Sequence, residues 1–105
     1  MKYLCLCYCG ARDAAASAAL DADLHGRSSL VAAAWLGPAE EAATLRVRNG
    51  ALAVDAGPCE AGAGSLGAVA LIEARDLNEA IRVAAELPAA RSGSVEVRPV
   101  RELQP

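Results

Sequence analysis

Apolar and polar positions along this chain change period several times, and each change marks an element. From Lys2 to Tyr8 the run Lys-Tyr-Leu-Cys-Leu-Cys-Tyr places Leu4, Leu6 and Tyr8 on one side of an extended strand and Tyr3, Cys5, Cys7 and Cys9 on the other. Both sides are apolar, which predicts a central strand covered on both faces. Asp13 to Leu24 is rich in alanine, with Asp13 as an N-cap and Gly26 as a stop, and reads as one short helix. Leu30 to Leu36 is apolar without a clear period and is compatible with a strand or a helix end, closed by Gly37-Pro38.

Thr44 to Arg48 alternates again, with Leu45 and Val47 on one face. Asn49-Gly50 follows, the pair favoured in two-residue type I′ turns, and leads into Ala51 to Val54, so a β-hairpin is predicted. Asp55 to Ser65, with Gly57, Pro58, Gly62 and Gly64, reads as a mobile surface loop, and Leu66 to Glu73 as a buried strand. Asp76-Leu77-Asn78-Glu79 has the form of a capping box opening a helix that Pro88 ends, with Leu77, Ala80, Ile81, Ala84 and Leu87 as its buried stripe. Asn78, Arg82 and Glu86 lie on its wet face. Ser94 to Val100 alternates Val95 and Val97 against Glu96 and Arg98, with Pro99 pointing to a sheet edge or strand end. The order is strand, helix, strand with hairpin, strand, helix, strand: an α+β, ferredoxin-like βαββαβ pattern with an extra β-hairpin.

Composition adjusts this picture. Hydrophobic residues make up 54% of the 105 residues, but there is no Phe, one Trp and two Tyr, and alanine supplies much of the total. The core is therefore expected to be shallow, in a single domain over 1–105 small enough to gain from a partner subunit. A net charge of -3 with scattered Lys and Arg excludes a nucleic-acid footprint, which needs a clustered basic face. The apolar opening is too short to span a membrane, and with no export signal the cysteines are expected to stay reduced in a cytoplasm.

Several stretches resemble the YCII-related (DGPF) family: Met1 to Tyr8, Thr44 to Gly50, Leu71 to Ile81, and Gly93 to Val100. The family is named for an Asp-Gly-Pro-Phe motif after the hairpin. Here Ala56-Gly57-Pro58-Cys59 stands in that place, keeping Gly and Pro while losing the Asp and the Phe; Asp55 lies one residue early. The resemblance implies a homodimeric α/β barrel with a pocket between sheet and loop. It further implies a possible enzyme, or an association with sigma factors of the extracytoplasmic-function type.

The chemistry-bearing residues are few. Cys5, Cys7 and Cys9 on one strand diverge along a line, whereas zinc ligands converge from turns, so they read as apolar packing and neither metal nor cofactor is expected. His25 at a helix end reads as a cap, and Trp35 as a core or dimer-interface anchor. The glycine spacing at 57, 62 and 64 is followed by a strand, not a helix, which excludes a dinucleotide fingerprint. Asp55, Pro58, Cys59 and Glu60 remain as candidate pocket or loop residues. With the motif's acid displaced, no catalytic residue is assigned. A homodimeric binding or accessory module for a small molecule is the expected function, and a small enzyme in the same pocket is the alternative.

Overall fold

The computed structural model describes residues 1–9, 29–59, 66–87 and 89–101. The helix expected from Asp13 to Leu24, His25 with Gly26, the stretch from Glu60 to Ser65, and Pro88 lie outside the described residues. Strands β1 (Lys2–Tyr8), β2 (Leu30–Trp35), β5 (Leu66–Glu73) and β6 (Ser94–Pro99) form one sheet in the order β2-β5-β1-β6. Strands β3 (Ala43–Arg48) and β4 (Ala51–Ala56) form a separate two-stranded sheet. Every strand pair is antiparallel. Helix α1 spans Leu77–Ala85 and the short α2 spans Ala89–Ser92. The strand order of the larger sheet is the one a ferredoxin-like α+β fold requires, with the first and third of its strands side by side at the centre.

The alternation read in β1 decides the layering. Tyr3, Cys5 and Cys7 are buried, and opposite them stand Ile72, Ala70 and Ala68 of β5 and Pro99, Val97 and Val95 of β6. This is the face on which α1 and α2 pack, through Ala80, Ala84, Leu87 and Ala89. Among the described residues, six of the eleven buried apolar ones are alanines and two are cysteines. Small side chains on both sides let helix and sheet approach closely, but each buries little area, so the core contributes less than its residue count suggests. The other face of the sheet, carrying Leu4 and Leu6 with Leu71 and Val69 across from them, is only half-buried.

The stretch from Leu30 is resolved as an edge strand, joined to β5 with an irregularity between Leu30 and Ala32. Its inward side places Leu30 and Trp35 against the core, so Trp35 packs as a partly buried anchor. β6 forms the other edge, with Pro99 as its last residue. The hairpin turn has both central residues at positive φ, 53° at Asn49 and 78° at Gly50, as a type I′ turn demands.

Three expectations need correction. Asp55 is not in a loop: β4 continues through Ala56, and Asp55 stands opposite Thr44 in the ladder. The helix stops at Ala85, and a second short helix, α2, follows it, a feature the sequence did not reveal. Leu77 and Ile81 are about half exposed, at 48% and 49%, while Ala80, Ala84 and Leu87 are buried. The stripe is narrower than its periodicity suggests because α1 presses its alanine side onto the sheet, and the larger residues flank that contact. The N-cap holds: Asp76 Oδ1 accepts from the Glu79 amide at 2.9 Å. The returning arm of the box is shifted, since the Glu79 carboxylate takes the amide N–H and the guanidinium of Arg75, one residue earlier than the N-cap itself.

Candidate binding site at the base of the hairpin

Leaving β2 at Trp35, the chain turns through Gly37-Pro38 into a 3₁₀ turn at Ala39–Glu41 before entering β3. Pro38 suits that turn because its fixed φ of -65° is already close to helical values. Leu36 is tied to the main sheet, its amide donating to the carbonyl of Gly67 at 3.0 Å. On the far side, the chain leaving β4 comes back to the start of β3. The Gly57 amide donates to the carbonyl of Ala42 at 2.7 Å, and the Thr44 hydroxyl donates to the carbonyl of Gly57 at 2.8 Å. Gly57 has φ 101°, a conformation L side chains rarely adopt, so the glycine of the Ala56-Gly57-Pro58-Cys59 stretch is what lets this return be made.

Between these two connections lies an open cleft of about 490 Å³. Leu36, Pro38 and Leu66 give it an apolar wall, and Thr44, Pro58 and Cys59 line the hairpin side. Among the described lining residues the carboxylate is that of Glu41. The side chain folds back across Gly37, with Oε2 only 2.6 Å from the point where a Cβ on Gly37 would stand, so a larger residue there would displace it.

The sequence-predicted residues separate here. Pro58 and Cys59 line the cleft. Asp55 does not; it pairs with Arg46 across the hairpin at 3.7 Å, on the outer surface. Glu60 lies outside the described residues. Arg46 links the two groups, because its Nη2 also reaches Cys59 Sγ at 4.0 Å. The Cys59 thiol is exposed, beside a cation, at the cleft rim. Glu41 and Thr44 escaped sequence reasoning. An acid in an Ala-Glu-Glu run looks like any solvated surface residue, and the only pointer to it is the preceding Gly37-Pro38 turn, which makes the chain double back.

The other cysteines are placed differently. Cys5 and Cys7 are sealed in the core, and Cys9 is half-buried with its thiol 3.7 Å from the carbonyl of Cys7. All four cysteines are free thiols. Burial pushes the Cys5 thiol up from its ordinary pKa, so it is held in the protonated form, which is neither nucleophile nor metal ligand. Among the described residues no three His, Cys, Asp or Glu side chains converge in a way that would hold an ion. Among the same residues no helix is long and apolar enough to cross a membrane.

A four-stranded antiparallel sheet in this order, backed by helices and extended by a hairpin with a cleft at its root, defines an α+β protein of the ferredoxin-like class. The profile of the YCII-related domain family matches residues 1–104, and the chain belongs to that family. No curated protein matches it significantly.

Proposed function

We propose that this YCII-related protein is a homodimeric binding or accessory module that takes a small organic molecule in the cleft at the hairpin base, in the cytoplasm. The observation that carries this reading is the cleft itself. About 490 Å³ is within the range that holds small ligands. Its apolar walls, with the Glu41 carboxylate and Thr44 among the lining residues, suit a compact, largely apolar molecule carrying an amine or hydroxyl. The four free thiols fit a reducing compartment. No proton-transfer pair is assigned, because Asp55 pairs with Arg46 at the surface and, among the described residues lining the cleft, none beside Glu41 is basic.

The test is native mass spectrometry of freshly purified protein, followed by thermal-shift screening of small amines and alcohols against the wild type and Glu41→Gln. Retained mass, or a stabilisation that Glu41→Gln abolishes, supports the reading. Compounds that stabilise both proteins equally would place binding elsewhere.

A small enzyme is the second reading, favoured by the approach of Arg46 to Cys59. That contact holds an exposed thiol at the rim of the cleft, where a side chain able to attack a bound molecule would have to stand. Turnover of a screened compound that is lost in Cys59→Ser and in Asp55→Asn would replace the binding module by an enzyme.

A further inference from the structure

The hairpin carries a feature that neither the core nor the cleft uses. Leu45 stands opposite Val54 and Val47 opposite Leu52, so the four aliphatic side chains share one face of the β3-β4 ribbon. All four are 56% to 65% exposed in the single chain. The opposite face carries Thr44, Arg46 and Arg48 paired with Asp55, Ala53 and Ala51, and is the ordinary solvated side of an amphipathic ribbon. A two-stranded ribbon is marginal in water unless its apolar face is covered. Here the ribbon forms a sheet of its own, and its hydrogen bonds to the rest of the described chain are concentrated at its root, around Ala42, Thr44 and Gly57.

We propose that the hairpin is a dimer arm: its Leu45, Val47, Leu52 and Val54 face is covered by a second copy of this chain. This rests on the homodimer reading above and names the element that makes the contact. Two observations select a second copy as the occupant. The first is area. The four side chains present on the order of 400 Å² of aliphatic surface, and such a contact, matched by an equal area and repeated by a two-fold axis, removes about 1,600 Å², the size of a stable interface. The second is charge. No charged residue lies on the apolar face, so it selects no acidic or basic partner, whereas this same chain carries a second under-covered apolar β-surface in Leu4, Leu6, Val69 and Leu71. Because Ala43 and Thr44 at the root of the arm line the cleft, the contact also sets the second copy beside the binding site.

The experiment is sedimentation velocity across a dilution series for the wild type, Leu52→Glu and Ala51→Glu, with hydrogen exchange of residues 43–56 followed at high and low protein concentration. Ala51 lies on the solvated face opposite Arg48, so it controls for the added charge alone. The expected result is a wild-type dimer that Leu52→Glu weakens at least about thirtyfold, as for the loss of an interface anchor, with Ala51→Glu unchanged. The hairpin amides of the wild type are expected to lose protection on dilution. A wild-type dimer that Leu52→Glu leaves intact would overturn the arm while sparing the homodimer, and a wild-type monomer would overturn both. If Leu52→Glu fails to fold, the wild-type exchange decides alone: protection independent of concentration overturns the proposal.

Discussion

The Thr44 hydroxyl donates to the carbonyl of Gly57, joining the first turn of the hairpin's outgoing strand to the residue just past its returning one. With the Gly57 amide bound to Ala42, this closes the base of the ribbon and shapes one wall of the cleft. Thr44→Val keeps the shape and removes the donor, leaving a partly buried carbonyl unpaired. The expected cost is about 1 kcal/mol, measured by urea denaturation. Gly57→Ala meets no steric obstacle but must hold φ at 101°, and is expected to cost about 1–2 kcal/mol. The two changes act on one hydrogen-bonded unit, so the double variant is expected to lose less than the sum.

Gly93 presents a different constraint. A Cβ there would lie 2.1 Å from the carbonyl oxygen of Tyr8, which is backbone and cannot rotate away. Gly93→Ala must therefore push the start of β6 off the end of β1, where Tyr8 pairs with Ser94. A loss of about 2–3 kcal/mol is expected, seen as a lower urea midpoint with an unchanged slope.

The thiols should label in the order of their exposure. Cys59 is expected to react with a thiol reagent first, Cys9 more slowly, and Cys5 and Cys7 only after denaturant is added. Cys5 is doubly protected, since burial both hides it and keeps it protonated. Rapid reaction of Cys5 or Cys7 in the folded protein would contradict the packing of β1 on the helices.

Glu79 provides a pH-dependent contribution. The Arg75 amide N–H, and then the Arg75 guanidinium, hold its carboxyl below the usual carboxylate range. A carboxyl lowered on folding stabilises the native state above its ordinary pKa, and that stabilisation is lost as pH falls through the lowered value. Wild type is therefore expected to be more stable than Glu79→Gln at neutral pH. The difference should vanish on acidification, as followed by thermal denaturation between neutral and strongly acidic buffers. A gap that persisted in acid would mean that Glu79 acts through packing and not through its charge.

Much of this architecture was written in local signals. The alternation in Lys2–Tyr8, the Asn49-Gly50 turn and the Asp76 N-cap each act over a few residues, so their consequences could be read before any fold was known. The candidate site was less legible. Pro58 and Cys59 were found from the loop's position after the hairpin, but Glu41 and Thr44 meet them only because the 3₁₀ turn and the Gly57 return bring distant segments together.

By itself, then, the sequence determined the strands β1, β5 and β6, the hairpin and its turn, and the start of α1, together with which side of each is apolar. Tertiary structure alone decided which apolar sides are covered. Leu77 and Ile81 match the helical period as well as Ala80 and Ala84 do, and Leu45 and Val47 alternate as cleanly as Cys5 and Cys7. The physical reason is that hydrophobic periodicity records what a face gains by leaving water, whereas burial depends on whether another surface of the right shape is within reach. For β1 that surface is the alanine side of α1; for the hairpin, the described residues supply none that covers it.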